Sequence, residues 1–150
     1  MIRAQCIVHR ENKLLMVQHH LNGETWWCLP GGAAEQGETP AEAALRELRE
    51  ECCVKGRIVR ETSQWRHMYS AEGETYTFLV DIGDQTPQLG FDPEIQAAAQ
   101  ILVNMKWLTL SEIPERDRAF LWAAGLLGIA EFWTEVSDWG DRLSYPGTRE

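Results

Sequence analysis

The segment TPAEAALRELREEC, residues 39–52, constrains this chain more than any other. Thr39 is a helix N-cap by residue type, and Pro40 suits the first helical position, where the backbone N–H has no partner to lose. Glu42 completes a T-x-x-E capping box. At about 100° per residue, Ala41, Ala44, Leu45, Leu48 and Cys52 share one arc, an apolar stripe for a core. Glu47, Glu50 and Glu51 fall on the neighbouring arc, where side chains three and four residues apart meet. Three carboxylates crowded there repel one another, so positive charge belongs among them. Two sources compete. Arg46, which can pair with Glu50, and Arg49 would make a solvated, salt-bridged surface, the commoner state of a charged helix. A hard divalent cation held by oxygen ligands against a phosphate would instead make a catalytic one.

The chain around the helix reads as strands. Residues 2–8 and 13–18 predict two strands about the polar turn HREN, and residues 26–29 predict a short one running into Pro30-Gly31-Gly32. Segments 54–60, 65–70, 75–82 and 100–107 are rich in Val, Ile, Tyr, Trp and Phe and predict four more. A long loop, GDQTPQLGFDPE, separates the last two; loops of that length are commonly functional or mobile. A helix over 115–129 closes the fold, and the tail beyond it is unassigned. One domain spanning 1–150 is expected, with helices packed on a sheet in an α/β arrangement.

The residues leading into the helix decide between the two readings. From Gly32 the chain gives five residues, Glu38, seven residues, then Arg46-Glu47-Leu48-Arg49-Glu50-Glu51-Cys52-Cys53-Val54. This resembles the Nudix box, G-x5-E-x7-R-E-U-x-E-E-x-G-U, with U a bulky apolar residue. Eight of its nine specified positions match, and Cys53 stands where the family has glycine. The lead-in WWCLPGG is also similar to the family's. The resemblance implies a Nudix-type α/β/α sandwich with a mixed sheet between helices. It implies magnesium, with manganese as a substitute, held by Glu47, Glu50 and Glu51 with help from a carbonyl of Gly31 or Gly32. Glu38 would sit by the metal and fix the loop on the helix. Arg46 would hold a catalytic glutamate in place, and Glu51 or Glu47 would be the general base. Glu94 of the long loop is the first candidate for a further catalytic acid, with Asp92 second; ordinary loop acids are an equal reading of both. Because a residue with a Cβ pays roughly 1–2 kcal/mol in the left-handed conformation, Cys53 predicts a helix end displaced, nearer Gly56.

The implied reaction is hydrolysis of a nucleoside diphosphate linked to another group, such as a nucleotide sugar, ADP-ribose or a dinucleoside polyphosphate. A MutT-like nucleoside triphosphatase and a non-catalytic nucleotide-binding module are the alternatives. Trp26, Trp65 and Tyr69 are candidate base-stacking residues, with Phe78 and Phe91 behind them, although strand aromatics are more often core. Tyr69 loosely suits a dinucleoside-polyphosphate enzyme, and SQWRHMY lacks the NADH-type and ADP-ribose-type signatures. His19 and His20 are candidates for contact with phosphate, although exposed turn histidines are the commoner reading.

A net charge of −9 excludes nucleic-acid backbones and anionic membranes as partners. It also repels a phosphorylated small molecule unless a cation stands between them. The four cysteines show no C-x-x-C spacing and read as buried or inert thiols. No signal-peptide pattern precedes them, and the apolar run at 120–130 is too short to span a bilayer, so a cytoplasmic setting is expected. That run either closes the core or forms a homodimer interface.

Overall fold

The structure is a computed structural model and describes residues 1–66, 73–90 and 101–136. In chain order its strands are β1 (Ile2–Ile7), β2 (His9–Arg10), β3 (Lys13–Leu21), β4 (Glu24–Cys28), β5 (Gly31–Ala33), β6 (Arg57–Arg66), β7 (Glu74–Asp81) and β8 (Leu102–Leu108). They form two sheets. One is mixed, with order β5-β1-β7-β6 and β1 parallel to β7. The other is antiparallel, with β3 between β4 and β8 and β2 paired to its start.

Helix α1 (Pro40–Cys52) packs on one side and α2 (Glu115–Ala123) on the other. The alternation of strand side chains explains why both sides are apolar. Ala4 and Cys6 of β1, with Leu15 and Val17 of β3, join the core under α1. Ile7, Leu14 and Met16, offset by one position, join Leu121 and Phe132 in the other core. The α/β/α sandwich is therefore present, its mixed sheet accompanied by a second, antiparallel one.

Helix α1 starts as its sequence requires. Thr39 Oγ1 accepts from the Glu42 N–H at 3.2 Å, and Glu42 Oε1 accepts from the Thr39 N–H at 3.1 Å. Its buried stripe is Ala43, Ala44, Leu48 and Cys52, with Ala41 and Leu45 half-buried at the margin. The stripe is thus rotated slightly toward Ala43. The helix end corrects an expectation. Cys53 itself takes the left-handed conformation, φ 57° and ψ 36°, and its N–H donates to Arg49 O at 3.0 Å. Neighbouring carbonyls are covered by the following loop: Gln88 N–H donates to Cys52 O at 2.9 Å and Gly90 N–H to Glu51 O at 2.7 Å. The helix does not reach Gly56, where a Cβ would stand 2.4 Å from Val80 Cγ1. Cys53→Gly should therefore raise stability by about 0.5–1 kcal/mol, relief of the left-handed cost outweighing the added freedom of the unfolded chain. A higher urea midpoint at unchanged slope would show it.

Two further expectations change. The strands predicted at 54–60 and 65–70 are, over the described residues, the single strand β6, with register shifts at Ile58/Arg60 and Glu61/Ser63. Its polar middle is occupied: Thr62 Oγ1 donates to Ala124 O at 2.9 Å and Ser63 Oγ to Ala123 O at 2.5 Å. The helix predicted over 115–129 stops at Ala123. Gly125 has φ 91°, and a Cβ there would meet Thr62 O at 2.5 Å, so the approach to β6 forces the break. A 3-10 turn, Leu126–Gly128, and the short α3 (Ala130–Trp133) follow. Leu121, Ala124, Leu126 and Ile129 of the apolar run close the core, while Phe120 and Leu127 stay exposed. Among the described residues no helix is long and apolar enough to cross a membrane.

Candidate active site

The Pro30–Gly32 turn brings the edge strand β5 against both β1 and α1. Gly31 pairs with Gln5, and a Cβ at Gly31 would lie 2.4 Å from Ala4 O. Its N–H donates to Glu51 Oε1 at 2.7 Å. Gly32 lies against the other acid: a Cβ there would fall 2.4 Å from Glu47 Oε1. The two glycines thus seat two helix carboxylates on the sheet edge.

One guanidinium binds the rest together. Arg46 Nε donates to Glu38 Oε2 at 2.8 Å and Nη2 to Glu38 Oε1 at 3.0 Å, a two-pronged contact of the kind arginine makes with carboxylates. Nη1 donates to Glu47 Oε1 at 3.0 Å and Glu50 Oε2 at 3.2 Å, and Nη2 also reaches Ala33 O at 3.0 Å. Glu38 Oε1 accepts in addition the Glu35 N–H at 2.9 Å. Loop and helix are joined through this cluster.

The electrostatics separate the acids. The Arg46 guanidinium, helped by the Glu35 N–H, holds the Glu38 carboxyl down at about 2. Glu47 moves the other way, pushed up by burial and by the neighbouring Glu51 charge against the pull of Arg46. Because the Glu38 pKa is depressed on folding, its stabilising contribution is complete above the ordinary value of 4.5 and is lost as pH falls through about 2. Accordingly, the difference in urea midpoint between the native chain and Glu38→Gln should shrink from pH 6 to pH 2. A constant difference would mean that the ionised carboxylate contributes nothing.

His19, read from sequence as an exposed turn residue, lies in β3 with its side chain only 18% exposed. Its ring centroid is 5.7 Å from that of Trp26, its cross-strand partner, and Nε2 stands 3.7 Å from Glu51 Oε2. The adjoining Cys28 thiol and Glu51 carboxylate raise its imidazole to about 9 despite partial burial. His20 is exposed, as expected.

On the α2 side lies a cavity of about 210 Å³ lined by Trp26, Trp27, Trp65 and Phe120, with Arg3, Gln5, Thr75 and Asp117 among its polar residues. Trp26 and Trp65 are therefore brought together, and Trp27 joins them. Phe78 is instead buried in the core beneath α1, so it offers no stacking face. Tyr69, Phe91, Asp92 and Glu94 lie outside the described residues. Of the predicted ligands, Glu38, Glu47, Glu50, Glu51 and Gly32 do share one place. Among the described residues no three His, Cys, Asp or Glu side chains form a ready coordination shell, and the Arg46 guanidinium sits among the acids. The donor set still suits a hard cation: hard carboxylate oxygens, two of them half-buried, beside a glycine cradle that a Cβ would fill. Sequence reading missed Arg3, Gln5 and Asp117, and favoured an exposed turn for His19. The Asn22-Gly23 turn, with φ of 53° and 78°, is a hairpin signal that would have set His19 opposite Trp26.

A two-sheet α/β/α sandwich, with a double-glycine turn delivering an acid-edged helix, defines a Nudix-class hydrolase. The chain belongs to the NUDIX family: the family model for the NUDIX domain matches residues 1–127. Among curated relatives, Phosphatase NudJ of Escherichia coli strain K12 is 28% identical over 116 residues, covering 75% of this chain and 70% of that protein. Among solved structures, an Ap4A hydrolase binary complex from C. elegans aligns with TM-score 0.65 at 18% identity, over 89% of this chain and 99% of that one. A NUDIX hydrolase from Nitrosomonas europaea aligns with TM-score 0.62 at 22% identity, over 77% of this chain and 61% of that one. At these identities the structures show a shared fold.

Proposed function

We propose that this chain hydrolyses the pyrophosphate linkage of a nucleoside diphosphate joined to another group, in a magnesium-dependent reaction that manganese also supports. The observation that carries the reading is the pair of carboxylates seated on the double-glycine turn: Glu51 on the Gly31 N–H and Glu47 against Gly32. Glu47, Glu50 and Glu51 would hold the metal, which when bound neutralises the diphosphate and acidifies a water. Arg46 keeps Glu47 and Glu50 aligned from one side, and Glu38 anchors Arg46. Glu51, seated through Oε1 on the Gly31 N–H, has Oε2 3.7 Å from His19 Nε2 and would take a proton there as general base. Two of the similar proteins, a phosphatase and an Ap4A hydrolase, act on phosphate linkages, which supports the reading.

The test is a panel of nucleotide sugars, ADP-ribose, dinucleoside polyphosphates and nucleoside triphosphates, followed by phosphorus NMR with and without magnesium. Metal-dependent release of a nucleoside monophosphate and a phosphorylated second fragment supports the reading. Release of inorganic pyrophosphate from triphosphates alone would replace it with a triphosphatase, and binding without any product with a non-catalytic module. Association into a homodimer through the exposed Phe120 and Leu127 would appear as a doubled mass in light scattering.

A further inference from the structure

The tryptophan-lined cavity adjoins the acid edge through both sheets. Gln5, on its wall, lies opposite Gly31, whose N–H holds Glu51. Trp26, also on its wall, touches the His19 ring that approaches Glu51. A nucleotide with its phosphates at Glu47 and Glu51 therefore has a flat, aromatic recess within reach of its base. Bases stack on tryptophan faces with little regard to sequence. The polar groups on the wall must supply any discrimination.

Those groups are not equivalent. Asp117 is committed to the frame: Oδ2 accepts the Trp27 N–H at 3.0 Å and Oδ1 accepts Arg116 Nε at 3.0 Å. Gln5 spends an amide N–H on Thr77 Oγ1 at 2.9 Å. The Arg3 side chain makes no hydrogen bond or ion pair within the described residues, although the chain carries 23 acids against 14 bases. Arg3, half-buried and on the cavity wall, thus keeps its forked donors for whatever enters.

We propose that Arg3 is the specificity-determining residue of this cavity and that it selects a guanine-type base. The inference rests on the nucleotide-hydrolase reading above. The chemistry is that of base-edge recognition: guanine presents two neighbouring acceptors, O6 and N7, that match an arginine fork. Adenine presents an acceptor beside an amino donor, which a donor-only guanidinium cannot satisfy.

Calorimetric titration of the full chain with GMP, AMP and inorganic pyrophosphate, with magnesium present, tests this apart from turnover of a nucleotide substrate. The native chain should bind GMP about tenfold or more tightly than AMP, the scale of one bidentate base contact. Arg3→Gln should erase or reverse that preference and leave pyrophosphate binding unchanged. Arg3→Lys, which keeps the charge and loses the fork, should reduce it. Equal affinities for GMP and AMP in the native chain would overturn the proposal. So would equal weakening of GMP, AMP and pyrophosphate in Arg3→Gln, which would assign Arg3 to phosphate. A guanine preference that depends on Arg3, in a chain that hydrolyses none of the panel, would support this inference and refute the hydrolase reading alone.

Discussion

Glu51→Gln is expected to lower metal-dependent turnover by about 10²–10⁴-fold, the range for loss of a general base, while the melting temperature stays near that of the native chain. The structural reason is that the two roles of Glu51 are carried by different properties. Its Oε1 accepts the Gly31 N–H at 2.7 Å, and a glutamine carbonyl accepts that hydrogen bond equally well. What the amide lacks is the negative charge and the capacity to take a proton. Steady-state kinetics beside a thermal melt separates these effects. Full turnover in the variant would remove Glu51 from the machinery, and collapse of the fold would make it a structural residue.

Gly32→Ala should produce the second large effect, a fall of about 100-fold in kcat with little loss of stability. The added Cβ would stand 2.4 Å from Glu47 Oε1 and 2.5 Å from its carboxyl carbon. Those atoms are the far end of a flexible side chain, so the carboxylate moves aside and the backbone does not. A displacement of about 1 Å in a catalytic group is enough for a loss of that size. Gly31→Ala should behave in the opposite way. Its Cβ would meet Ala4 O at 2.4 Å and Gln5 Cα at 2.8 Å, backbone that cannot yield cheaply. A destabilisation of about 1–3 kcal/mol is expected there. Urea midpoints and kcat measured on both variants would distinguish a positioning glycine from a packing one. Native kcat in Gly32→Ala would show that the place of Glu47 does not matter.

The part of the site that could be read from sequence is the part built locally. The capping box, the glutamate spacing and the reach of Arg46 to Glu50 all follow from helical geometry within one segment, and all are present. Where long-range contacts decide, local reading stops. The C-terminal helix breaks at Gly125 because Thr62, 63 residues earlier in sequence, packs against it. Cys53 accepts the left-handed conformation because Gln88 and Gly90 cover the helix end. His19 joins Glu51 only once β3 and the helix have been brought together across the sheet edge. Arg3 and Gln5 become neighbours of three tryptophans through strand pairing that no single segment encodes.

Manganese titration followed by electron paramagnetic resonance tests the central claim most directly, because it reads the acid cluster without requiring a substrate. The native chain should take up the ion, and Glu47→Gln and Glu51→Gln should each weaken that uptake by more than about tenfold, since even supporting residues of a metal site cost about 10–100-fold. If both variants bound manganese as tightly as the native chain, the helix carboxylates would not be the metal's ligands, and the hydrolytic site would have to lie elsewhere.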